Sequence, residues 1–282
     1  MNIIEIKDIN APELKVFAGL SEAQLYRYYE PEPGLFVAES AYVILRALEA
    51  GYEPMEMLVE TDRLDAEAGP VFEMIEKKWG IGKKESIPVY TASSMILRDL
   101  TGYELVRGLW MVLRRKREIP LDEFCAGKRR ITVLYDVVNP TNVGAITRCA
   151  AALGMDGVLL TYPSVDPLTR RSARVSMGTV FQIPWTKAKK EESVGINLIE
   201  TLQNMGFKTV AMALTEDSTS IDNDEIRKNE KIAVLMGNEG NGLPKEVIDA
   251  CDYRVMIPMF NGVDSLNVAA ASAISFWELL KK

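Results

Sequence analysis

The chain has 282 residues, 48% of them hydrophobic and 26% charged, and a net charge of −7. That length fits one large or two ordinary domains with a sizeable core, and the acidic balance argues weakly against a nucleic-acid partner. Histidine is absent from the sequence, which excludes any Ser-His-Asp or Cys-His mechanism and any histidine-ligated metal. No apolar run approaches the roughly 18 to 20 residues of a membrane span. The start MNIIEIKDIN has no basic segment leading into an apolar one, so no secretory signal is expected. Cys125, Cys149 and Cys251 are widely spaced with no C-x-x-C pair. That pattern predicts neither disulfides nor a metal site, and it fits a reducing cytoplasm.

In chain order, GLFVAESAYVILRALEAG (34 to 51) predicts a strand running into an amphipathic helix. Val43, Ile44, Ala47 and Leu48 recur at helical spacing, and Gly51 stops the helix. MEMLVE (55 to 60), IPVYTAS (87 to 93) and LWMVLRR (109 to 115) predict strands, with a helix from about Ser94. These elements make a small α/β domain over residues 1 to 118. Residues 119 to 129 read as a linker within a polar, basic stretch broken by Pro120 and Gly127. A second domain, 130 to 282, opens with strand ITVLYDVV (131 to 138) and a helix over about Asn142 to Leu153. Strand GVLL (157 to 160), a helix over Leu168 to Val175 and a short strand FQIPW (181 to 185) follow. A helix over about Glu192 to Met205 precedes strand KTVAMAL (208 to 214). Strand IAVLM (232 to 236), a short helix from Pro244, strand YRVMIPM (253 to 259) and a closing helix over 266 to 280 complete the chain. Strand alternating with helix predicts a mostly parallel sheet covered on both faces. Ligands in such sheets sit beyond the carboxyl ends of the strands, where loops 139 to 144, 237 to 243 and 258 to 265 fall.

Charge is unevenly distributed. Between Arg107 and Arg130 eight basic side chains, among them Arg114, Arg115, Arg129 and Arg130, face three acidic ones, and Arg170, Arg171 and Arg174 form a second knot. These are either solvated faces and a basic linker or a surface for phosphates.

Each loop has a structural and a chemical reading. VLMGNEGNGLP (234 to 244) runs a strand into three glycines. Its order is not the dinucleotide fingerprint, and Glu239 would repel a pyrophosphate. A tight turn needing positive φ explains it. So does an acidic, backbone-lined loop for a cationic ligand such as S-adenosylmethionine (SAM). In NPTNVGAITRCAAALG (139 to 154), Asn142 or Thr141 can cap the helix, and Arg148 lies just under two turns beyond Asn142. In IPMFNGVDSLNVAAASAISFWE (257 to 278), Ser265 can act as an N-cap with Asn267 in the first turn. The small residues 269 to 273 admit a close helix or dimer contact.

Together and in this order, the three loops resemble the signature motifs of the SpoU (TrmH-like) RNA 2′-O-methyltransferases of the SPOUT superfamily. The resemblance covers about residues 130 to 282. The first 118 residues are more loosely similar to the small RNA-binding domain that precedes many such catalytic domains. The resemblance implies a deep trefoil knot in the C-terminal sheet, a homodimer with its active site near the subunit interface, and SAM as cofactor. By motif position Leu214, Gly237, Ile257 and Leu266 would contact SAM. Asn142, Arg148, Glu239, Ser265 and Asn267 would be the functional polar residues. Ala269 stands where many members carry serine. The implied reaction is methyl transfer to a ribose 2′-hydroxyl, with a preceding domain favouring ribosomal over transfer RNA by analogy. Arg148 would stabilise developing charge, because a guanidinium scarcely deprotonates. The competing readings are an RNA-binding or assembly factor without turnover and a nucleotide-dependent oxidoreductase.

Overall fold

The computed structural model describes residues 2 to 101 and 108 to 280, so Arg107 of the basic stretch lies outside the described residues. The chain divides into two compact units. One comprises Met1–Arg117 with Leu168–Phe181, and the other comprises Glu118–Pro167 with Gln182–Lys282.

The first unit contains β1 (Asn2–Glu5), α1 (Glu22–Tyr26), β2 (Leu35–Glu39), α2 (Ala41–Glu49), β3 (Pro54–Glu60) and α3 (Gly69–Ser86). It continues with β4 (Pro88–Ala92), α4 (Ser94–Thr101) and β5 (Leu109–Arg114). Its five-stranded sheet runs β1-β4-β3-β5-β2. The pairs β1-β4 and β4-β3 are parallel, and β5 is antiparallel to both neighbours. Leu35, Val37, Leu58, Tyr90, Trp110 and Val112 from the sheet bury against Leu14, Phe17, Leu25 and Leu97. Gly51 terminates α2 at φ 81°, as its position predicts. The long α3 has no sustained periodicity: Val71, Phe72 and Ile75 are buried in its first half, and Gly80 interrupts it at φ 82°.

The second unit contains α5 (Leu121–Cys125), β6 (Arg130–Leu134), α6 (Pro140–Ala152) and β7 (Gly157–Leu160). The chain then contributes α7 (Arg170–Val175) to the first unit. It returns through β8 (Trp185–Lys187), α8 (Asn197–Asn204), β9 (Lys208–Met212), β10 (Thr219–Ser220) and α9 (Asp224–Arg227). Strand β11 (Ile232–Met236), α10 (Lys245–Ala250), β12 (Tyr253–Met256) and α11 (Val268–Leu279) follow. Seven parallel strands run in the order β10-β12-β9-β11-β6-β7-β8. Side chains alternate between the faces. Ile131, Val133, Ala233 and Leu235 pack on α5, α8 and α10 through Phe124, Leu198, Leu202 and Val247. Leu134, Ile232, Val234 and Met236 pack on α6 and α11 through Val143, Ile146, Phe276 and Leu279. Burial on both faces makes the strands nearly continuous apolar runs.

Several local expectations change. The segment read as a linker holds α5, whose Leu121, Phe124 and Cys125 are buried. The strand expected over 181 to 185 begins only at Trp185. Residues Thr179–Phe181 form a 3₁₀ turn, and the Phe181 ring packs 5.3 Å from Tyr52 and 5.8 Å from Phe36. The following helix starts at Asn197 because Gly195 takes φ 54°.

Candidate functional site

Because all seven strands are parallel, the loops after β6, β9, β11 and β12 leave one edge of the sheet. Three of them are tied together by side chains. Asn142, on the first turn of α6 and only 6% exposed, donates from Nδ2 to Glu239 Oε1 at 3.0 Å. Its Oδ1 accepts from Asn267 Nδ2 at 3.2 Å. Glu239 also accepts the backbone N–H groups of Asn139 (3.1 Å) and Val138 (3.4 Å). A buried amide thus joins segments nearly a hundred or more residues apart in sequence.

Burial alone pushes the Glu239 carboxyl up. Hydrogen bonds from Asn142 and from the backbone of Glu239, Asn139 and Val138 more than reverse this and hold it below its ordinary value of 4.5. Glu239 is therefore ionised near neutral pH and a poor proton acceptor. It orders the loop after β6.

The helix caps differ from expectation. Asn139, not Asn142 or Thr141, caps α6 through Oδ1 and Thr141 N–H at 2.9 Å. Pro140 at the first helical position starts the helix earlier because its missing N–H needs no partner there. Asn267, not Ser265, caps α11 through Ala269 N–H at 2.9 Å. Asn267 therefore both starts a helix and contacts Asn142.

The glycines of the 237 to 243 loop answer mainly to the loop itself. Asn238 and Gly242 exchange backbone hydrogen bonds at 3.0 and 3.1 Å. A Cβ on Gly237 would stand 2.5 Å from Gly242 C and 2.6 Å from Leu243 N. Of the three glycines only Gly242 takes positive φ, 66°. Asn238 Oδ1 accepts from Gly240 N–H at 2.8 Å, and its Nδ2 donates to Asp136 O at 2.7 Å.

Asp136, outside the three motifs, and Asn238, within one of them, also belong to this constellation. Asp136 sits just past β6 at φ 55°, a strained conformation for a non-glycine residue. It exchanges hydrogen bonds with Thr161, Oγ1 to Oδ1 at 2.8 Å and N to Oγ1 at 2.9 Å. A lone aspartate after an apolar strand was the available sign in the sequence.

Arg148 and Ser265 stand outside the hydrogen-bonded group. Arg148 is exposed on α6, about 9 Å along the axis from Asn142 at 1.5 Å per residue. Among the described residues it makes no ion pair. Ser265 is exposed in the 257 to 267 loop. Leu214 and Leu266 are exposed apolar side chains beyond β9 and before α11, and Ile257, just after β12, is half-buried.

The donor set suits SAM. Residues 213 to 218, 237 to 243 and 257 to 267 follow the neighbouring strands β9, β11 and β12. They contain Glu216, Asp217, Glu239 and Asp264 and no lysine or arginine, and of these acids Asp217 is paired with Arg254 of β12. Such loops favour a cationic sulfonium with an ammonium and disfavour a phosphate. The exposed apolar Leu214, Phe260, Val263 and Leu266 offer apolar surface beside them.

Most of the arginines expected to touch RNA have intramolecular partners. Arg170 stacks 4.5 Å from the Trp110 ring and donates to Phe17 O. Arg174 grips both oxygens of Glu39 at 3.1 and 3.2 Å. Arg115 is buried over Tyr26, and Arg114 lies 4.5 Å over the Tyr29 ring. In the second unit Arg130 donates to Glu230 O and Asn229 O, and Arg129 pairs with Glu230 at 3.4 Å. Arg171 is exposed.

The chain belongs to the SpoU rRNA methylase family, whose model matches residues 129 to 277, and it is an RNA methyltransferase of that family. It is 32% identical over 279 residues to an uncharacterized tRNA/rRNA methyltransferase of Mycobacterium bovis, covering 99% of this chain and 92% of that one. In fold it is similar to an AdoMet-bound rRNA methyltransferase from Sinorhizobium meliloti, with TM-score 0.79, 24% identity, and 98% and 97% of the two chains covered. The SpoU methyltransferase AviRb from Streptomyces viridochromogenes, solved with AdoMet, gives TM-score 0.74 and 23% identity over 96% and 97% of the chains.

Proposed function

We propose that this protein transfers a methyl group from SAM to a ribose 2′-hydroxyl in RNA, with ribosomal RNA favoured over transfer RNA. The observation that carries the reading is the junction of three distant motifs at Asn142, Glu239 and Asn267. The cofactor is SAM, the ligand held by two of the solved relatives. Leu214, Gly237, Ile257 and Leu266 would hold it, with the acidic loops balancing its positive charge. Bound there, SAM supplies an electrophilic methyl on a sulfonium sulfur.

The remaining work falls to the chain's own residues. A ribose hydroxyl is a poor nucleophile near neutral pH, so alignment contributes most, roughly 7 to 11 kcal/mol in favourable cases. Arg148 orients the ribose or its phosphate and stabilises the developing alkoxide electrostatically. Asn142 and Asn267 hold the start of α6, and hence Arg148, against the Glu239 loop. Ser265 is assigned to substrate or cofactor positioning.

A homodimer would enclose Arg148. Helix α11, which packs on α6, leaves Ala270, Ile274 and Trp277 exposed along one stripe, and Trp277 is 62% exposed. The C-terminal sheet would carry the trefoil knot that the family resemblance implies. The first unit would grip RNA through Arg114 stacked on Tyr29 beside Tyr28, with Arg115, Arg170, Arg171 and Arg174 as further candidates there and Arg129 and Arg130 as candidates in the second unit. Arg171 and Arg129 are the more accessible of these.

The test is label transfer from methyl-tritiated SAM to RNA of cells lacking this gene, followed by alkaline hydrolysis. A 2′-O-methyl blocks cleavage, so label in alkali-resistant dinucleotides supports the reading. Primer extension at low nucleotide concentration then maps the position. Label recovered only in mononucleotides, as base methylation would give, or none transferred although SAM binds, would refute it.

A further inference from the structure

The sheet edge that carries the three loops continues past β6 to β7 and β8, and a side-chain group there has no part in the reaction described above. Tyr162 follows β7 by two residues and is 51% exposed. Lys187, the last residue of β8, places its ammonium 5.7 Å from the Tyr162 ring centroid, and Lys190 places its own at 5.9 Å. Both lie within the roughly 6 Å at which a cation is attracted to an aromatic face.

This group is held by backbone. Tyr162 N–H donates to Ser193 Oγ at 2.9 Å, and Ser193 Oγ donates to Lys189 O at 2.9 Å, which fixes the lysine-bearing turn beside the ring. Lys187 Nζ donates to Ser164 O at 2.8 Å. The acids of that turn are Glu191 and Glu192, and the Glu192 carboxylate accepts Lys189 N–H at 2.7 Å. Glu192 is thus engaged by the turn itself.

The group is also coupled to the site. Thr161, the neighbour of Tyr162, is fully buried and hydrogen-bonds Asp136, whose carbonyl accepts from Asn238 in the Glu239 loop. Adjacent strands lie about 4.8 Å apart, so Tyr162 stands one strand beyond the loop that holds Asn142.

We propose that Tyr162, with Lys187 and Lys190, is a stacking site for an unpaired nucleotide adjacent to the one that is methylated. An exposed ring accepts any base by its face, the Lys190 ammonium near it supplies a phosphate contact, and Lys187, anchored on Ser164 O, adds positive charge beside them. A base inside a duplex has no free face for the ring, so the site selects single-stranded or looped RNA. The proposal rests on the methyltransferase reading above and names the form of RNA that its site takes.

The full chain is assayed as wild type, Tyr162→Ala, Tyr162→Phe and Lys190→Gln. SAM binding is followed by calorimetry, methyl transfer by steady-state kinetics on RNA from cells lacking this gene, and RNA binding by anisotropy of fluorescein-labelled oligouridine and of a labelled RNA duplex. Tyr162→Ala is expected to raise KM for RNA roughly 5- to 150-fold, the worth of one stacked base, with SAM affinity unchanged and kcat nearly so. Tyr162→Phe keeps the ring and is expected to stay within about twofold of wild type. Lys190→Gln is expected to flatten the logarithmic salt dependence of oligouridine binding by about 0.7. An unchanged KM in Tyr162→Ala, a Phe variant as impaired as Ala, an unaltered salt slope, or a wild type preferring the duplex would overturn the proposal. If Tyr162→Ala does not fold, Tyr162→Phe and Lys190→Gln decide it alone. A wild type that binds SAM but methylates no RNA would instead defeat the functional reading.

Discussion

Replacing Asn142 tests the junction directly. In Asn142→Ala the contacts to Glu239 at 3.0 Å and to Asn267 at 3.2 Å are lost together. A net hydrogen bond contributes about 1 kcal/mol, more when one partner is charged, but Glu239 and Asn267 are exposed and water replaces part of the loss. The expected cost is about 2 kcal/mol, a fall of roughly 4 to 8 °C in the melting of the second unit. Asn142→Asp should cost more, because it sets a second carboxylate against Glu239. Two unit charges about 4 Å apart repel by up to about 4 kcal/mol near a protein surface. The pH dependence carries the sign. The Glu239 carboxyl is depressed below 4.5 in the folded protein, so its contribution is complete above that value and is lost as pH falls through the folded value. Wild type and Asn142→Ala should therefore converge in acid. The gap between the Asp and Ala variants should close as well, once the carboxylate pair shares a proton. Calorimetric melts at neutral pH and near the ordinary glutamate value measure both. Equal melting of the Ala and Asp variants at neutral pH, or a gap that does not shrink on acidification, would refute the junction. Methyl transfer by Asn142→Ala should fall by about 100-fold or more, since displacement on the order of 1 Å at a reacting centre has that effect.

Arg148→Ala should keep SAM affinity in calorimetry while methyl transfer falls by orders of magnitude, and a near wild-type rate would remove Arg148 from the chemistry. If the proposed homodimer forms through α11, Trp277→Glu, which places a charge in its exposed stripe, should sediment as a monomer where wild type sediments as a dimer; a monomeric wild type or a variant that stays dimeric would refute that interface. Burial pushes the thiols of Cys125 and Cys251 up to about 11, so neither should react with a thiol reagent in the folded protein near neutral pH. Cys149 is half-buried with its thiol also raised, so labelling should be slow there and complete at all three only after unfolding.

The sequence by itself determined the parallel α/β character of the second unit, because strands buried on both faces must be apolar throughout, as IAVLM and GVLL are. It also determined where helices stop when a glycine does the stopping, as at Gly51, and it placed three motifs on loops at one sheet edge. It could not show that α5 lies within the stretch read as a linker, since Leu121, Phe124 and Cys125 are a helix's worth of apolar residues only once a core receives them. Nor could it separate cap from contact. Asn139, Asn142, Ser265 and Asn267 are all chemically able to cap, and only the fold, with Pro140 opening α6 and Asn142 buried, divides the roles. The same holds for the arginines. Charge density marks them as solvated faces or phosphate contacts, but Glu39, Trp110 and the carbonyl of Phe17, all distant in sequence, hold Arg174 and Arg170 within the first unit. Charge and periodicity are local and can be read along the chain. Which buried polar group meets which partner depends on long-range strand order, and only the tertiary structure decides it.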